Sequence, residues 1–150
     1  MCFEDIKKLI CSSKSNIISP PKYLEDIDGN EIRTILQAEF PNTPLYISDT
    51  MFQTTTKEEL IRFLKEDIVD KNKYISEKYD CDDFSYQLMG NISSPKWGML
   101  PFGILWSETP NGGHAINCFI DNNREVWIIE PQSDKIFKIP DNWNPWLVVL

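Results

Sequence analysis

The sequence predicts an α+β fold, with helices first and antiparallel strands afterwards. Three observations carry this reading. Residues 31–40 and 56–68 hold apolar side chains at helical spacing. Residues 102–150 instead give short β-rich runs separated by turn residues. The two kinds of segment do not alternate along the chain, which excludes a βαβ repeat. A length of 150 residues suits one domain with a real core.

Residues 1–12 are expected to form a short helix with Phe3, Ile6 and Ile10 on one side, stopped by Ser19-Pro20-Pro21. Asp28-Gly29-Asn30 reads as a turn. From Glu31 to Phe40 the residues Ile32, Ile35, Leu36 and Phe40 follow helical spacing, and Pro41 ends the segment. Leu45-Tyr46-Ile47 is a short strand. Thr56-Lys57-Glu58-Glu59 is a capping box, opening a helix that carries Leu60, Ile61, Leu64 and Ile68 toward the core. A polar link, Asp70 to Tyr79, leads to a helix that begins at Cys81 and stops near Gly90-Asn91. Strands are expected at Phe102 to Trp106, His114 to Ile120, Glu125 to Glu130, Lys135 to Ile139 and Trp146 to Leu150. Pro110-Asn111-Gly112-Gly113, Asp121-Asn122-Asn123 and Pro140-Asp141-Asn142 punctuate them.

Hydrophobic content of 41% and charged content of 25% are those of an ordinary globular protein. The formal charge is −8 and the pI about 4.6, without a Lys/Arg cluster, so neither nucleic acid nor an anionic membrane is expected as a partner. No apolar run is long enough to span a bilayer, and the N-terminus lacks the features of a signal peptide. Cys2, Cys11, Cys81 and Cys118 sit at spacings that match no metal-ligand pair. They read as reduced thiols of a cytoplasmic protein.

The chemistry concentrates at Tyr79-Asp80-Cys81-Asp82-Asp83-Phe84. Asp80 is a good N-cap, and Cys81 falls in the first helical turn, where free N–H groups and the helix dipole favour a negative sulfur. Three neighbouring carboxylates oppose that charge. The competing reading is a small packed Cys beside acids that merely suit a helix start. His114 is the single histidine, and it follows Gly112-Gly113, which remove side-chain bulk beside it. Glu130, at the end of an apolar strand, is either an orienter of the imidazole or an ordinary solvated strand end. Asn117 is a second candidate orienter but alternates to the other face of the strand, and Cys118 reads as core. Gln53 and the Cys81 amide are candidate oxyanion donors. The tryptophans read as core or groove walls, and phosphate-loop motifs are absent.

Register makes a test of Glu130. The strand of His114 and the strand of Glu130 should form a hairpin, and a two-residue loop would send Glu130 through the opposite face of the sheet. An odd-length turn across Asp121 to Arg124, or a bulge, returns it to the face of His114.

Taken together, Asp-Cys-Asp-Asp-Phe, Gly-His-Ala-Ile-Asn and Ile-Glu-Pro-Gln resemble a known family. It is the papain-like cysteine protease domain found at the C-terminus of the fairy-ring mushroom agglutinin and its bacterial relatives. More distantly they resemble bacterial transglutaminase-like cysteine proteinases. The resemblance spans about residues 45–140 of a single domain, leaving residues 1–44 unassigned. It implies a papain-like core in which N-terminal helices, one bearing the nucleophile, pack on a C-terminal antiparallel sheet. It further implies a cysteine peptidase or amide hydrolase with Cys81 as nucleophile, His114 as base and Glu130 as orienter. The substrate would be a peptide or protein, and the domain a homodimer. It implies calcium as well, for which Asp82, Asp83 and Gln132 offer oxygen ligands, although the chemistry requires no cofactor. The sugar-binding trefoil of the mushroom protein has no counterpart here, so glycan targeting is not implied. The rival readings are a non-catalytic binding or interaction module on the same fold, and an acyl transferase of transglutaminase type.

Overall fold

The computed structural model describes residues 18–150. The helix expected at residues 1–12, with Cys2 and Cys11, lies outside them.

A two-stranded ribbon pairs β1 (Asp26–Asp28) antiparallel with β3 (Met51–Gln53). Helix α1 (Gly29–Glu39) leaves this ribbon directly, because the Asp28 carboxylate accepts from the N–H groups of Asn30 at 2.8 Å and Glu31 at 2.9 Å. The expected turn at Asp28-Gly29-Asn30 is thus a capped helix start. Helix α2 (Lys57–Glu66) begins as expected, with the Thr56 hydroxyl accepting from the Glu59 N–H at 3.3 Å. The Glu59 carboxylate does not complete the box; it pairs with Arg62 at 2.7 Å. Phe63 joins Leu60 and Leu64 in the core, whereas Ile68, beyond the helix end, is 68% exposed. Helix α3 (Cys81–Ile92) runs on past Gly90 to a cap at Ser93.

The main sheet has six strands in the order β2-β8-β4-β5-β6-β7. These are β2 (Leu45–Tyr46), β4 (Phe102–Thr109), β5 (Gly112–Ile120), β6 (Val126–Glu130), β7 (Lys135–Phe137) and β8 (Asn144–Val149). The expectation of a wholly antiparallel C-terminal sheet is corrected in one respect. Strand β2 comes from the N-terminal half and pairs parallel with β8.

Both faces of the sheet are covered. Ile116, Cys118, Ile120 and Ile128 pack with Ile32 and Leu36 of α1 on one face. Phe102, Phe119 and Ile129 pack with α2 and α3 on the other. Alternation along β5 therefore separates His114, which shares parity with Ile116 and Cys118, from Asn117, which points toward α3.

The β5–β6 register pairs Asn117 with Ile129 and Ile120 with Val126. It arises from an odd-length turn in which Arg124 takes a φ of 65°. Continued to the strand ends, this register sets Glu130 opposite Ile116, on the face of His114.

Candidate functional site

At the open end of β5, the hairpin Thr109-Pro110-Asn111-Gly112 reverses the chain tightly. The Thr109 hydroxyl donates to the Gly112 carbonyl at 2.9 Å, and Gly112 has a φ of 111°, a conformation glycine adopts without strain. His114 follows. Its Nε2–H donates to Glu130 Oε2 at 2.7 Å, since the carboxylate can only accept. The second oxygen, Oε1, accepts from the Gln132 N–H at 3.2 Å. Both side chains are about four-fifths buried. The Glu130 carboxylate is thus held through both of its oxygens.

Around it lies a cleft of about 580 Å³, lined by Gly112, Gly113, His114 and Glu130 and by Lys135, Phe137, Pro140 and Trp143 from beyond the β6–β7 turn. The Trp143 ring stands edge-to-face with His114 at 5.8 Å and with Phe137 at 6.0 Å. Trp143 matches the sequence reading of a groove wall. Lys135 and Phe137 were invisible to motif reasoning, because they come from an edge strand. Only the antiparallel return of β7 along β6 brings them to the cleft.

Cys81 sits at the first position of α3, on the helix that covers the opposite sheet face. Among the described residues no hydrogen bond joins its sulfur to the His114 ring. Its donor atom lies within 4.8 Å of carboxylate oxygens of Asp80 and Asp82. Those two acids share a proton site, which holds the Asp80 carboxyl below the usual range and Asp82 above it. Asp80 stands at the N-cap, and its carboxylate accepts from the Glu77 N–H at 3.1 Å. Asp83 accepts from the Asp80 N–H, also at 3.1 Å. Calcium takes six to eight oxygen ligands. Two carboxylates beside a thiol, with Asp83 engaged by the helix start, fall short of that donor set, and no step is assigned to the metal. Gln132 belongs to the turn after β6, its N–H bound to Glu130.

The other candidates have structural employment. Cys118 is fully buried, which pushes its thiol up to about 12. The Gln53 side chain donates to Asp26 at 2.9 Å. Asn117 donates to the carbonyls of Ser85 at 3.0 Å and Gly103 at 3.1 Å, tying α3 to β4.

Residues 28–149 match the model of the family described as the ricin-type β-trefoil lectin C-terminal domain. The chain belongs to this family. Among solved structures, the chain is similar to a PSL1a–E64 complex, with a TM-score of 0.74 at 21% identity, over 83% of this chain and 51% of that one. It is likewise similar to Polyporus squamosus lectin bound to the human-type influenza-binding epitope Neu5Aca2-6Galb1-4GlcNAc, with a TM-score of 0.71 at 20% identity, over 83% and 49%. The chain spans about half the length of these structures. No curated protein matches it.

These findings correct the expectation of a papain-like or transglutaminase-like cysteine proteinase core. The family that matches is that of the ricin-type β-trefoil lectin C-terminal domain, and the fold is shared with part of a lectin structure. The cysteine protease and hydrolase assignment, with its peptide substrate, is replaced accordingly. The physical reason is that short motifs have structural uses. Asp80 and Asp83 organise a helix start, and Gly112 permits a tight hairpin. No helix among the described residues is long and apolar enough to cross a membrane.

Proposed function

We propose that this lectin-family domain is a non-catalytic binding module, and that the His114–Glu130 cleft is its saccharide site. One observation carries the reading: an indole and a hydrogen-bonded imidazole–carboxylate pair share a cleft of small-ligand size. A pyranose has an apolar C–H face and a rim of hydroxyls. Trp143 offers the face a partner, while Glu130 and the remaining His114 nitrogen offer hydrogen bonds to the rim. Gly112 and Gly113 carry no side chain that would block the ring's approach. The lectin structure with a bound glycan supports the choice of sugars as probes; its ligand belongs to that protein.

The test is a titration of the ¹⁵N-labelled chain with an oligosaccharide panel, read by amide and indole shifts. Shifts should centre on His114, Glu130 and the Trp143 indole, with a dissociation constant in the millimolar to micromolar range. Trp143→Ala should weaken binding at least tenfold. Saccharide-induced shifts confined to another surface, or none at all, would overturn the reading.

A further inference from the structure

We infer that a stripe of three aromatic rings crossing α3, β4 and β8 docks a basic segment of a partner protein, with an arginine lying on the indoles. None of the three rings lines the saccharide cleft, and the inference does not rest on that reading. Tyr86 of α3, Trp106 of β4 and Trp146 of β8 stand in a row, with neighbouring ring centroids 6.0 Å and 6.2 Å apart. The register builds this row. Trp106 opposes Leu147 and Ser107 opposes Pro145, so Trp146 is the extra residue of a bulge. A bulge re-aims its side chain, and here the Trp146 ring stands beside Trp106. Tyr86 is 52% exposed and Trp146 49%. A single exposed aromatic is ordinary, whereas three in contact mark an interaction surface.

The charges around the stripe say what fits it. The elements α3, β4, β5 and β8 contain no Lys or Arg. They do bring carboxylates. Asp82 lies one turn before Tyr86 on the same helix face, and Glu108 lies two residues beyond Trp106 on the same face of β4. Neither acid joins a salt bridge among the described residues. Elsewhere the chain covers ring faces with its own cations. Lys57 and Lys138 stand 3.7 Å and 3.9 Å over Trp127, and Arg62 stands 5.3 Å over Trp97. Among the described residues no Lys or Arg stands over Tyr86, Trp106 or Trp146. These faces are open to a cation from outside, on a chain of formal charge −8. A guanidinium suits both parts of the surface, since its plane stacks on an indole while its edge donates to a carboxylate.

The experiment titrates the intact ¹⁵N-labelled chain with acetyl-tetraarginine amide, at about 20 mM and about 500 mM salt. The matching tetracitrulline peptide, which keeps the shape without the charge, is the control. At low salt the arginine peptide should bind about tenfold more tightly than the control, and the preference should shrink at high salt. The largest shifts should fall on the Trp106 and Trp146 indoles and on Tyr86. Trp146→Ala and Tyr86→Ala alter exposed side chains on separate elements, and each should weaken binding about fivefold. Glu108→Gln should weaken it about threefold. Equal binding of the two peptides overturns the inference. So do small shifts spread over the whole acidic surface and unchanged by both aromatic variants, the mark of unspecific charge attraction. Binding to phosphatidylcholine vesicles with none to the arginine peptide overturns it as well. None of these outcomes bears on the saccharide cleft.

Discussion

Asp134, in the turn that joins Glu130 to Lys135, has a φ of 56° and a carboxyl whose pKa is raised to about 6. Burial is the main cause, followed by repulsion from Asp70 and Asp67. The unfolded chain releases this proton near its ordinary value of about 3.9. Between that value and about 6 the folded state binds more protons than the unfolded one, so this group's contribution falls as pH rises through the window. The penalty is complete above pH 6. Asp134→Asn should therefore stabilise the chain at pH 7.5 by about 1 kcal/mol, after allowance for solvent screening at a half-exposed site. Asparagine also suits the left-handed conformation. Urea denaturation at pH 7.5 and pH 4 checks this; a gain of equal size at both pH values would show that the charge is not its source. At this same scale the His114–Glu130 contact was legible in advance. The chain has one imidazole, and counting residues across the β5–β6 turn limits which acids share its face. Lys135 was not legible, since only the antiparallel return of β7 along β6 brings it to the cleft.

Helix α3, β4 and β5 meet at Asn117. Its amide nitrogen satisfies two main-chain carbonyls, and its Oδ1 is buried without a partner among the described residues. Asn117→Asp would replace the donor with an acceptor facing both carbonyls, and should cost about 3 kcal/mol or more. Asn117→Ala should cost about 1–3 kcal/mol, because the orphaned oxygen leaves with the lost bonds. Chemical denaturation that ranks alanine as the worse change would refute the clamp. Nearby, a Cβ on Gly103 would stand 2.1 Å from the Val149 carbonyl oxygen, which is backbone and cannot swing aside. Gly103→Ala should cost about 1–3 kcal/mol, read in the same way. The elements themselves were largely readable from periodicity: α1, α2 and α3 start within two residues of the expected positions. Their ends were less so. The period of α2 stops at Glu66, so Ile68 lies outside it while the aromatic Phe63 takes a core position. Neither Asn117 nor Gly103 announces its role locally, because Asn117 depends on a helix and a neighbouring strand and Gly103 on a strand far along the chain.

For the whole molecule, the engaged acids at the start of α3 predict indifference to calcium. Thermal unfolding in millimolar calcium and in EDTA should give midpoints within about a degree; a clear calcium-dependent rise would restore Asp82, Asp83 and Gln132 as a ligand set. The order of the strands was the least legible feature of all, since nothing in Leu45-Tyr46 names β8 as its neighbour. That pairing has a kinetic meaning. Strand β8 lies inside the sheet, between β2 and β4, and its parallel partner is over a hundred residues earlier in the chain. The loop it closes must lose its entropy before the contact returns any energy, so the topology favours slow folding. During synthesis, β4 to β7 emerge before the strand that fills this gap, and the edge of β4 stays uncovered until then. The window is one in which other chains can pair with it, and the order of synthesis, more than final stability, sets how long it stays open.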